Sequence, residues 1–215
     1  MKKSRTKSFT QPHFDRVLKT VLTLNWSNPD VYGDFLAQTY HHICHSTRLL
    51  AAAGSRFTTA QDQFHLQCMK HATEERSHEK LSLSDLKTIG RSLENFPELP
   101  ATKALYRSAY YLIDRESPIT LFGYAYFLEC MGIAGAKVEA IVKPIYGVQS
   151  VKHLSLHANE DSEHIEAYES ALDKLEGKDR EHLEEAIAST AWNYERIYSE
   201  IATRAIVNEN RKKAA

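Results

Sequence analysis

From Leu121 to Ala136 the chain reads LFGYAYFLECMGIAGA, apolar around nearly the whole circumference of a helix, with Glu129 as its one charged side chain. A helix that is apolar on every side is a buried one. Whatever this chain folds into must therefore wrap other elements around that segment. The rest of the sequence supplies helices: Gly and Pro number only 8 and 6 in 215 residues, and nearly all fall between long runs of helix-period apolar residues. The pattern predicts an all-α bundle of about seven helices.

Pro12 opens a short first helix to about Leu24, and the polar stretch from Asn25 to Pro29 sets up a second, from Asp30 to about Ala53, with Gly54 as its stop. Thr58 or Thr59 caps a third, which carries Phe64, Met69, Leu81 and Leu86 on one side and ends at Gly90. A fourth covers about Ala101 to Arg115. Ser117 and Pro118 start the fifth, hydroxyl as cap and proline at the first helical position, and it runs to about Val142. Pro144 and Gly147 set off a sixth, about Val148 to Leu175, and Gly177 precedes a last amphipathic helix that reaches about Asn208 before a fraying tail. A single domain is expected, ordered from about residue 12 to 208.

Charge narrows the partners. With 27 basic and 28 acidic residues interspersed and a formal net charge of -1, the chain has no electrostatic footprint for nucleic acid or an anionic membrane. The basic start MKKSRTKSFT is followed by no apolar core of signal-peptide length, and no stretch approaches the ~20 apolar residues of a membrane span. A cytoplasmic protein acting on a small molecule is the expectation. Cys44, Cys68 and Cys130 are odd in number and form no CxxC pair, which speaks against a disulfide framework or a thiolate zinc site.

Two features carry chemistry. Burying an unpaired carboxylate costs several kcal/mol or forces its protonation, so Glu129 needs a cation, a metal or a proton as partner; the plain alternative is an Arg or Lys from another helix. Second, the third and sixth helices contain HATEERSH, from His71 to His78, and HANEDSEH, from His157 to His164, which align without a gap. At ~100° per residue, positions i, i+4 and i+7 share one stripe, which groups His71, Glu75 and His78, and likewise His157, Asp161 and His164. Imidazole nitrogen with carboxylate oxygen suits iron, manganese or zinc, and acid-x-x-His on two helices is one way a bundle builds a dimetal site. A solvated face of mixed acids and histidines is the competing reading of either copy alone, so the repetition carries the inference. Tyr40 stands as far before His71 as Tyr126 does before His157. The second and fifth helices should thus face each other across one centre, in an internal pseudo-two-fold repeat. Ile43, between His42 and His45, is then the counterpart of Glu129, and these histidines are candidates to line the pocket or supply an accessory ligand. Tyr40 and Tyr126, with Leu121, Tyr124 and Phe127, are candidate pocket walls.

HATEERSHEKLSLSDL on one core helix, GYAYFLE on the next and HANEDSEH on the third together resemble the haem-oxygenase-like di-iron oxidases and oxygenases. These are fold relatives of haem oxygenase, the thiaminase-like proteins and the pyrroloquinoline-quinone synthase group. The likeness spans about Asp30 to Ala171. It implies a haem-oxygenase-like bundle with Glu75, His78, Glu129, His157, Asp161 and His164 as metal ligands. His71 stands where some members place the first acid, so it is either a further ligand or a residue behind the ligands.

The resemblance implies two irons, dioxygen as co-substrate, a small organic substrate that is oxidised, and by fold analogy alone a homodimer. A histidine-carboxylate cluster where haem would stack leaves that cofactor no room. Two alternatives remain: a metal-independent enzyme of the same fold, with an acid or histidine as general base in the manner of thiaminase-like or quinone-synthase-like proteins, or a helical small-molecule-binding protein with a structural polar cluster.

Overall fold

The computed structural model describes residues 4–214, apart from the side chains of residues 159–164, 166 and 167. Among the described residues the chain is helix and turn throughout, and the longest all-apolar stretch sits at the middle as expected. That central helix, α7 (Thr120–Tyr146), follows α1 (Arg5–Leu22), α2 (Pro29–Ile43), α3 (Ser46–Gly54), α4 (Asp62–Glu74), α5 (Glu79–Thr88) and α6 (Pro100–Arg115). It precedes α8 (Lys152–Leu172) and α9 (Gly177–Ala214). α7 packs against α8 and α9 on two sides and against α1, α3 and α6 elsewhere, so its apolar circumference is covered. The approach of α9 depends on Gly123: a Cβ there would lie 2.5 Å from the Leu183 carbonyl oxygen and 2.8 Å from the Ala186 Cβ. The pseudo-two-fold repeat shows in the packing, where α2 pairs with α5 as α7 pairs with α8.

Several boundaries differ from the sequence reading, each for a physical reason. Pro12 lies inside α1 and does not start it. The helix begins at Arg5, capped by the Ser4 hydroxyl and by Asp173, whose carboxylate accepts from the Thr6 amide (2.8 Å), the Thr6 hydroxyl (2.7 Å) and the Arg5 amide (3.1 Å). A carboxylate at a helix N-terminus is favoured by its free N–H groups and dipole, and this one arrives from the far end of the chain, beyond any local signal. The helix expected over 30–53 is two, α2 and α3, joined through Cys44 and His45. Pro144 is accommodated inside α7, which Gly147 ends at φ 86°. The tail expected to fray continues α9 as far as Ala214.

The break that matters most for function lies in the third expected helix. α4 stops at Glu74, and the backbone turns through Glu75, Arg76, Ser77 and His78 before α5 begins at Glu79. Ser77 holds φ 77°, in the left-handed region that side chains other than glycine seldom occupy. α5 is tied to α8 by Asp85, fully buried, which accepts the His153 amide at 2.9 Å and so caps α8 from outside its own sequence. The position of α8, and of the histidines on it, is thereby set against α5.

Candidate metal centre

Glu75 is the hub of a buried cluster. Its Oε1 lies 3.6 Å from His71 Nε2 and 3.6 Å from His78 Nδ1, and His71 Nε2 lies 3.0 Å from Glu129 Oε1. His157 comes in from α8, its ring 5.4 Å from that of His78. The donors form two overlapping groups, Glu75/His78/His157 and His71/Glu75/Glu129, and within each group the ligand atoms lie within 4.8 Å of one another. Four elements meet here: α4 brings His71, the turn brings Glu75 and His78, α7 brings Glu129 and α8 brings His157. The expected straight stripe of His71, Glu75 and His78 does not exist, because the turn interrupts the helix; the three side chains still converge, through the turn itself. Glu129 is buried as anticipated, and among the described residues the imidazole of His71 is a close partner, at 3.0 Å. Asp161 and His164 lie outside the described side chains; α8 runs unbroken through both positions.

The electrostatics favour charge separation within the cluster. Burial alone would depress the His71 imidazole, but the Glu129 and Glu75 carboxylates, 3.0 and 3.6 Å from Nε2, outweigh it and raise its pKa to about 10. Burial likewise works against the Glu75 carboxylate, yet the imidazoles of His71 and His78, each 3.6 Å away, hold it well below the usual carboxylate range. Behind His71, the buried Tyr168 hydroxyl lies 2.6 Å from Nδ1 and fixes the ring. On the other side stand two further buried histidines. His153 has its ring 4.6 Å from that of His157, and burial, reinforced by His157, pushes its pKa well below normal. His42 is lowered to about 3, by burial first and then by His157. Neither His153 nor Tyr168 was singled out from the sequence, although both continue the His157 stripe, one turn before it and three turns after it.

Beside the cluster is a cavity between α2, α3 and α7. The α7 wall is Leu121, Tyr124, Ala125, Leu128, Glu129 and Gly132, one stripe at i, i+3 and i+4 spacing. Tyr126 lies ~200° round the helix from Tyr124 and is not a wall residue; its hydroxyl donates to Glu169 at 2.8 Å. Phe127 is off the stripe as well. The α2 wall is Thr39, His42 and Ile43, which puts Tyr40 outside it. His45 turns away too, stacked on Tyr106 at 3.8 Å and 3.2 Å from the Tyr110 hydroxyl, so of the two expected histidines only His42 reaches the cavity.

The model of the iron-containing redox enzyme family matches residues 33–198, most of the chain. The chain belongs to that family. Among curated proteins none matches it. Solved structures with the same fold include a domain of unknown function with a haem-oxygenase-like fold from Shewanella denitrificans OS217, at 21% identity over 94% of this chain and 93% of that one, with a TM-score of 0.83. A TenA homologue from Pseudomonas syringae pv. tomato DC3000 superposes at a TM-score of 0.75, with 14% identity over 92% of this chain and 90% of that one. A CADD-like protein of unknown function from Nostoc punctiforme PCC 73102 gives 0.71, with 14% identity over 96% and 98%. These likenesses give the fold, a haem-oxygenase-like bundle.

For an iron-containing redox enzyme the donors are apt. Imidazoles and carboxylates, without a thiolate among the described members of the two groups, suit a divalent ion of intermediate hardness. Ligands sharing one ion at roughly 2.0–2.2 Å are at most about 4.4 Å apart, so each group needs only a slight contraction to close on a metal. The cluster also explains why a carboxylate is tolerated inside α7.

Proposed function

We propose that the protein is a non-haem di-iron oxidase or oxygenase that uses dioxygen to oxidise a small organic substrate held in the cavity between α2 and α7. The observation that carries this reading is the pair of overlapping donor groups that share Glu75. Glu75, His78, Glu129, His157, Asp161 and His164 would hold two irons, with His71 beside them. Bound ferrous iron supplies the electrons and open coordination positions that dioxygen activation requires.

The chain's own residues do the rest. In the metal-free protein the raised pKa of His71 keeps its imidazole cationic beside Glu129 and Glu75, which offsets the repulsion between the two carboxylates. Tyr168 and the turn at Ser77 orient His71 and the Glu75–His78 pair. Leu49, Leu50, Leu121 and Leu128 line the cavity with hydrocarbon. We place the enzyme in the cytoplasm, acting on small molecules.

Anaerobic addition of ferrous iron to the metal-free full-length protein, a count of bound metal, and then admission of oxygen with its consumption followed tests the reading. About two irons per chain and a transient visible absorption are expected. No bound iron in a folded sample refutes it, and full activity after exhaustive chelation would favour a metal-independent enzyme of the same fold.

A further inference from the structure

Outside the cluster the cavity is walled largely by hydrocarbon, Ile43, Leu49, Leu50, Leu121 and Leu128, with the hydroxyls of Thr39 and Ser46 among them, and the described residues lining it include no Lys or Arg. Among the described residues, the Tyr124 hydroxyl on α7, His42 Nδ1 on α2 and His153 Nδ1 on α8 are buried polar atoms on its walls without a protein partner; His153 stands against the ring of His157, which leaves Tyr124 and His42 as the pair on the two facing helices. Both residues are nearly inaccessible, 5% and 6% exposed. Both line the same cavity as Glu75 and Glu129. A buried donor or acceptor left without a partner costs about 1–3 kcal/mol, and two such atoms on different helices around one chamber mark where a ligand's polar group belongs.

We propose that the substrate is an uncharged, largely hydrocarbon molecule with one hydrogen-bonding group, a hydroxyl or an amide, and that Tyr124 and His42 hold that group. The proposal rests on the reading of this cavity as the substrate site. An anionic ligand meets no Lys or Arg on the described walls, and the one imidazolium there, His71, already faces Glu129 and Glu75; a cationic ligand finds those carboxylates engaged by histidines. Tyr124 and His42 are both neutral donor-acceptor groups near pH 7: burial raises the phenol and lowers the imidazole. The arrangement points the hydrocarbon body toward Leu49 and Leu50.

Calorimetric titration of the metal-free, full-length protein with benzyl alcohol, toluene and benzoate provides the test. Benzyl alcohol should bind about tenfold more tightly than toluene, and benzoate most weakly. Tyr124→Phe and His42→Leu should each erase most of that preference while toluene binding, the sign of an intact cavity, persists. Toluene equal to benzyl alcohol in the wild type, benzoate tightest, no binding by any probe, or a preference untouched by both substitutions overturns the proposal. The wild-type comparison decides even if a variant does not fold. No iron is present in these samples, so failure here is distinct from failure of the iron count.

Discussion

Replacing Glu75 with Gln tests the centre most directly, because Glu75 alone belongs to both donor groups. In the metal-free protein its carboxylate sits 3.6 Å from His71 Nε2, an attraction of about 5 kcal/mol at an effective dielectric constant of roughly 20. Much of that is offset by the desolvation of the carboxylate, and His71 keeps Glu129 at 3.0 Å. The net destabilisation should therefore be about 1–3 kcal/mol, the range for leaving a buried polar group without its partner, and the variant should fold. Its metal binding should fail far more severely. Loss of a residue behind the ligands already weakens metal binding about 10–100-fold, so loss of a shared ligand should cost at least ~100-fold at both positions. Under anaerobic ferrous loading, Glu75→Gln should retain almost no iron. Glu129→Gln should lose about one of two equivalents, because Glu75, His78 and His157 do not depend on it. Equal iron retention in the two variants, with unchanged circular dichroism, would refute the shared role of Glu75.

Other outcomes follow from the same structure. His42 has a folded-state pKa of about 3 against an ordinary 6.5, so between those values the unfolded chain binds a proton that the folded chain does not. Its contribution is complete above pH 6.5 and is lost as pH falls; urea unfolding of the metal-free protein at pH 5.5 against 7.5 should show a loss of about 1.4 kcal/mol from this residue that His42→Leu removes. Ser77→Val should lower both the melting temperature and iron retention, since a β-branched side chain at φ 77° adds about 1–3 kcal/mol of strain, whereas Ser77→Gly should match or exceed the wild type. Gly123→Ala should destabilise by about 1–3 kcal/mol in thermal unfolding, because the new methyl meets the Leu183 carbonyl at 2.5 Å and backbone cannot step aside as a side chain can.

What could be read in the sequence was whatever depends on periodicity along one helix. The apolar circumference of α7 demanded a central position, and Glu129 within it demanded a partner; both follow from residues that are neighbours on a single helix. What could not be read depends on distant chain. Thr73 to Lys80 contains neither Gly nor Pro, so propensity predicts unbroken helix, and nothing local announces the turn at Ser77. Asp173 capping α1 and Asp85 capping α8 are likewise tertiary. His153 is a different kind of omission: it lies one turn before His157 on the same stripe, and extending the spacing argument by four residues would have found it.

The repeat explains why the centre is lopsided. The shift that carries His71 onto His157 also carries Ile43 onto Glu129 and Ser82 onto Tyr168. In the second half the carboxylate closes on His71, and the phenol is long enough to reach that imidazole from behind. In the first half the same positions hold an isobutyl-sized side chain that lines the cavity and a hydroxymethyl that is buried short of it. One half therefore furnishes the acid that a cation requires, and the other leaves room beside it for something apolar. The two-fold arrangement of helices supplies the frame. Chemistry comes from the departures from it: the turn at Ser77, which frees Glu75 and His78 from helical spacing, and the exchange of a carboxylate for a hydrocarbon at Ile43, which gives the centre a side on which a substrate can lie.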